Sequence, residues 1–157
     1  MIGENILPNK EILDSLLENE LKRSLRYQSF TSILLFETQS TTSSKVRDQH
    51  HSDIAERMAA LIRKEIRETD IVGMYSGNTV IVVLLYSDKS VATKVGDRLS
   101  KWISNYFSSS GKSSQTLSVG AACFPSHATD SRSLYQKALE MVERAKATGG
   151  NCVQILQ

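Results

Sequence analysis

Cysteine and proline are both scarce, two of each in 157 residues, and tryptophan occurs once. Cys123 and Cys152 stand outside any Cys-x-x-Cys or Cys/His spacing, so neither a disulfide framework nor a zinc site is indicated and both read as reduced thiols. Neither sign of charge dominates: 19 Lys and Arg face 17 Asp and Glu, a formal net charge of +2. That balance argues against a broad nucleic-acid-binding surface. Long apolar runs are missing too. The longest, residues 80–85, falls far short of the ~20 residues a bilayer-crossing helix needs. Residues 1–5 lack the basic-then-apolar order of a secretory signal. The expectation is a cytoplasmic chain without membrane insertion. What is present is 40% hydrophobic residues, and a chain of this length hides roughly two thirds of its unfolded surface. One domain over residues 1–157, held by its core, is expected.

Hydrophobic periodicity supplies the elements. Ile12, Leu13, Leu16, Leu17, Leu21 and Leu25 make one helical stripe over residues 9–28. Residues 30–37 (FTSILLFE) read as a strand covered on both faces. Residues 38–52, rich in Ser and Thr, read as a surface loop. Asp53 is expected to cap a second helix carrying Ile54, Met58, Ile62 and Ile66 and running to Thr69. Two apolar runs, 71–75 and 80–86, flank Ser76-Gly77-Asn78-Thr79 and predict a β-hairpin. A third helix follows Asp88, bearing Val95, Leu99, Trp102, Ile103 and Tyr106, and is expected to end at Ser108–Ser114. A strand over 117–124, a fourth helix opened by Asp130 or Ser131 and stopped by Gly149-Gly150, and a last strand over 151–156 complete the chain. The order predicts one α/β domain on a mixed sheet.

Several short motifs carry a resemblance. Leu7-Pro8-Asn9-Lys10, Arg67-Glu68-Thr69-Asp70, Thr116-Leu117-Ser118-Val119-Gly120 and Ala145-Lys146-Ala147-Thr148-Gly149-Gly150-Asn151 occur in order along nearly the whole chain. They are similar to the L-P-N-R, R-x-x-D, T-[VI]-S-[IV]-G and A-K-x-x-G-x-N motifs of the GGDEF domains, the diguanylate cyclases that condense two GTP into cyclic di-GMP. The resemblance implies the cyclase palm: a central five-stranded mixed sheet wrapped by helices, with the active-site hairpin at its edge.

The chain also departs from that pattern. Where the family writes G-G-[DE]-E-F, the hairpin reads Ser76-Gly77-Asn78-Thr79-Val80. In the family the first acid binds Mg²⁺ and the second serves substrate binding and catalysis. Asn78 offers a neutral oxygen and Thr79 a hydroxyl. The family's D-x-D on the first strand becomes Glu37-Thr38-Gln39, keeping one negative charge. Residues 41–53 reproduce none of the family's guanine- and phosphate-holding pairs in register. Lys146 matches the phosphate-gripping Lys, and Gly150 stands where an Arg is usual. Phosphoryl transfer of this kind leans on metal ions that neutralise phosphate charge. The sequence-based expectation is therefore a non-enzyme without a cofactor, Mg²⁺ entering only if residual GTP binding through Glu37 and Lys146 exists.

Arg67-x-x-Asp70 is the most complete chemical motif. Asp70 stands six residues before Ser76, the offset of the family's inhibitory site for cyclic di-GMP. A guanidinium can donate twice to the O6/N7 edge of guanine, and a carboxylate can accept from its N1 and amino groups. Arg98, within a stretch similar to the family's A-E-R-L, is the candidate helper, whereas Met74 replaces an Arg common before the tip. Arg67 and Asp70 could equally be a solvated i,i+3 pair worth a few tenths of a kcal/mol, and Lys146 a cation favoured by a helix C-terminus. The partners implied are cyclic di-GMP, or a regulatory protein or second copy of a ligand-free interaction module. His50 and His51 with Asp48 and Asp53 read as solvated loop residues.

Overall fold

The computed structural model describes residues 7–40, 47–109 and 115–156. Helix α1 spans Lys10–Tyr27, its start fixed by the Asn9 side chain, which accepts from the Ile12 N–H at 2.9 Å. Strand β1 is Thr31–Ser40, helix α2 Arg47–Glu65, and the hairpin β2 Ile71–Ser76 with β3 Thr79–Leu85. Helix α3 is Lys89–Ser109, β4 Gln115–Phe124, α4 Ser131–Ala147 and β5 Cys152–Ile155. Asp88 caps α3 through the Val91 N–H at 3.0 Å, and Asp130 and Ser133 form a reciprocal capping box on α4.

The five strands form one sheet in the order β2-β3-β1-β4-β5. β1 pairs antiparallel with β3 and β4, and only β4 and β5 run parallel. Alternation along the strands divides the core. Leu34, Phe36, Val80, Val82 and Val119 face α2 and α3, where Met58, Ile62, Leu99 and Ile103 are fully buried. Ile33, Leu35, Ile81, Val83 and Phe124 face α1 and α4, against Leu13, Leu17, Leu134 and Val142. Helices thus cover both faces, and polar side chains of the sheet collect at the strand ends.

Two expectations are corrected. Residues 38–40 are strand and not loop: Thr38 pairs with Leu117, Gln39 with Thr116 and Ser40 with Gln115. Backbone pairing to β4 holds this polar segment, which has no apolar alternation to announce it. Helix α2 begins at Arg47, so Asp53 lies inside it and is no cap, and it ends at Glu65, short of Thr69. The side chains of Asp48, His50, His51 and Asp53, and the rest of the expected loop at 41–46, lie outside the described residues, as do most of 108–114 at the end of α3. Both cysteines are free, Cys123 buried and Cys152 half-buried. Among the described residues no helix is long and apolar enough to cross a membrane.

Candidate functional site

The expected residues gather at two ends of the sheet. At the hairpin end, Glu37 is flanked across the ladders by Thr79 on β3 and Ser118 on β4. Its Oε2 receives Lys146 Nζ from α4 at 2.5 Å, and Lys146 also reaches Glu143 at 3.0 Å. Burial works against the Lys146 charge, but the two carboxylates outweigh it and hold the ammonium above its usual range. Asn78 at the tip closes back on β1: its Nδ2 donates to the Thr38 carbonyl at 3.1 Å, and the Thr38 N–H donates to the Asn78 carbonyl at 3.1 Å. Ser76 Oγ donates to Asn78 Oδ1 at 3.3 Å, and Thr79 Oγ1 lies 3.5 Å from Glu37 Oε1. Gly77 has open space around it. Gly150, at φ 78°, sits over Thr116 and Ser118, where a Cβ would lie 3.4 and 3.5 Å from their side chains.

This edge therefore brings together Glu37, Ser76, Gly77, Asn78, Thr79 and Lys146, and adds Ser118 and Thr38, which were not singled out. The Thr38 hydroxyl is buried without a hydrogen-bond partner among the described residues. Mg²⁺ generally takes one or two carboxylates plus phosphate oxygens and water. Here the two carboxylates, Glu37 and the exposed Glu143, are both already met by the Lys146 ammonium, so the protein donors alone do not fit a resident Mg²⁺. An ion at this edge would have to arrive with phosphates that supply its other ligands.

The second end lies six residues back along β1, about 20 Å away at strand rise, where Thr31 pairs with Leu85. Asp70, in the turn between α2 and β2, is buried, its side chain only 2% exposed. Its Oδ1 accepts from the Leu85 N–H at 3.0 Å, and its carboxylate takes Arg67 Nε at 3.0 Å and Nη2 at 3.2 Å. Arg67 Nη2 further donates to the Leu85 carbonyl at 2.6 Å and to Ser87 Oγ at 3.0 Å. Arg63 closes the turn from α2, donating to the Asp70 carbonyl at 2.7 Å and to the Arg67 carbonyl.

The geometry changes what the spacing implied. Asp70 does not share an outer surface with Arg67; it points inward and ties the turn to β3. The motif is thus an internal clamp whose outer member, Arg67, keeps 56% of its side chain exposed. Its Nη1 has no hydrogen bond among the described residues. Arg98 on α3 comes to the same helix end, donating to the Glu65 side chain and carbonyl, both at 3.3 Å, and is itself half-exposed. Ser87 and Arg63, which seat Arg67, carry no sequence signal that would have marked them.

Fold and site together define the class. The GGDEF family, described as "Diguanylate cyclase, GGDEF domain", matches residues 6–152, and the chain belongs to it. Among solved structures it resembles the GGDEF domain of PA1120 (YfiN or TpbB) from Pseudomonas aeruginosa, with 22% identity over 98% of both chains and a TM-score of 0.78. The active GGEEF domain of a diguanylate cyclase from Vibrio cholerae matches with a TM-score of 0.80 and 18% identity over 97% of this chain and 99% of that one. The GGDEF domain of DgcB from Caulobacter crescentus in complex with c-di-GMP matches with a TM-score of 0.76 and 14% identity over 95% and 91%. A comparison with curated proteins returns no match.

This membership corrects the expectation of a non-enzyme. The family is one of diguanylate cyclases and its palm is present, so the family and fold point to a cyclase. That expectation weighed the replaced tip residues, the altered first strand, residues 41–53 and Gly150, and such replacements do not by themselves demonstrate lost turnover.

Proposed function

We propose that this chain is a cyclic di-GMP signalling domain that binds the dinucleotide at the surface formed by Arg67 and Arg98. The observation that carries the reading is the convergence of two half-exposed guanidiniums on the end of α2, one seated by Asp70, Leu85 and Ser87 and the other by Glu65. A guanidinium fixed on one side and open on the other presents the fork that matches the guanine O6/N7 edge or a phosphate. Asp70 acts as a positioning residue for Arg67. The site works without a resident cofactor, Mg²⁺ entering the domain only with a nucleotide at the Glu37 edge. A cytoplasmic setting suits such a ligand.

Titration calorimetry with cyclic di-GMP tests the reading. Arg98→Ala removes only surface contacts, so the variant should melt like the wild type and bind about tenfold more weakly. No heat from the wild type at high micromolar ligand overturns the reading.

A second reading, docking of a protein or a second copy, is favoured by an apolar groove of about 700 Å³ between α1, α2 and β2, whose lining includes Leu7, Pro8, Ile12, Leu16 and Val72. Ile12 and Leu16 are both exposed there. On this reading sedimentation shows an assembly that Ile12→Lys disperses; a monomer at all concentrations and with every added partner removes it.

A further inference from the structure

Tyr86 breaks the pattern of the strand it follows. All seven residues of β3 are buried, yet Tyr86 is 64% exposed. Its φ of 52° lies in the left-handed region, which a bulky aromatic adopts at a cost and which glycine or asparagine would adopt more readily. Burial of the ring does not offset that cost. Strained residues of this kind persist where the surrounding structure holds them, often at ligand sites.

The neighbours of Tyr86 are the groups that hold Arg67. Leu85 supplies the carbonyl and Ser87 the hydroxyl that accept from Arg67 Nη2. Phe30, whose carbonyl accepts from the Ser87 N–H at 3.0 Å, is itself 40% exposed. One exposed aromatic, Tyr86, therefore stands on the short stretch of backbone that seats an exposed guanidinium, and a second, Phe30, on the segment bonded to that stretch. A hydrogen-bonding fork beside an aromatic face is the combination that recognises an unpaired purine, the fork reading its edge and the ring stacking on its plane.

We infer that Tyr86 is a stacking residue for a guanine base of cyclic di-GMP, beside the edge-reading Arg67. This rests on the ligand reading above and adds to it a residue outside the Arg67-x-x-Asp70 motif.

The test is titration of cyclic di-GMP into the wild type, Tyr86→Gly and Tyr86→Phe, with thermal melting of each. Tyr86→Gly relieves the backbone strain, so its melting temperature should hold or rise while its affinity falls about tenfold or more. Tyr86→Phe keeps the ring and should bind within about threefold of the wild type. Wild-type affinity in Tyr86→Gly overturns the stacking role and leaves the Arg67 and Arg98 reading standing. Equal losses in both variants overturn stacking in favour of a hydroxyl contact. Absence of binding by the wild type overturns both readings together.

Discussion

Asp70 holds four donors from two directions, the Leu85 N–H and three nitrogens of Arg67, its backbone N–H among them. Removing a buried acceptor strands those donors, and the cost is that of unsatisfied polar groups. Asp70→Ala should lower unfolding stability by about 2–3 kcal/mol in urea titration, and Asp70→Asn by less. A loss below about 0.5 kcal/mol, the level of a solvated surface pair, would contradict the clamp. His127 offers a second test at this scale. Its Nδ1 accepts from the Cys123 N–H at 2.9 Å, so that nitrogen carries no proton in the folded state. Burial, then Lys89 and Lys137, hold the imidazole below its usual range. The unfolded chain therefore takes up a proton near pH 6.5 before the folded one does. Stability from this contact is full above that pH and is lost as pH falls through the depressed folded value. Melting temperature should drop between pH 7 and pH 5, and His127→Gln should flatten that drop; an unchanged slope would show that the imidazole contributes nothing.

Among the elements, the packing of α4 on β4 depends on one glycine. A Cβ on Gly120 would lie 2.4 Å from both the Ala138 carbonyl oxygen and the Val142 nitrogen, which are backbone atoms that cannot rotate aside. Gly120→Ala should cost about 3 kcal/mol in chemical denaturation, whereas a substitution within experimental error of the wild type would mean that the helix shifts freely. The Thr-x-Ser-x-Gly motif was visible in sequence, but its physical content, close helix-to-strand approach, needed the fold. The same limit applies to 38–40 and to the start of α2. Their polar residues carry no apolar period, and what places them is pairing to β4 and a helix that begins at Arg47, before its apolar stripe does. The apolar stripes of α1, α3 and α4, the hairpin and the strand order along the chain were legible because each buries one periodic face.

For the whole molecule, the sheet separates two polar ends. The Glu37, Lys146 and Asn78 contacts lie at the hairpin, and the Arg67 and Arg98 guanidiniums lie at the end of α2. Sequence spacing located both groups, yet it could not show that Asp70 turns inward, because its partner Leu85 is fifteen residues away at the end of β3. On the proposed reading, the domain meets cyclic di-GMP at the second of these ends. Amide chemical-shift mapping of the labelled protein with cyclic di-GMP discriminates between the two ends. Perturbations should concentrate at residues 63–70, 85–88 and around Arg98; shifts confined to Glu37, residues 76–79 and Lys146, or none at saturating ligand, would rule this site out.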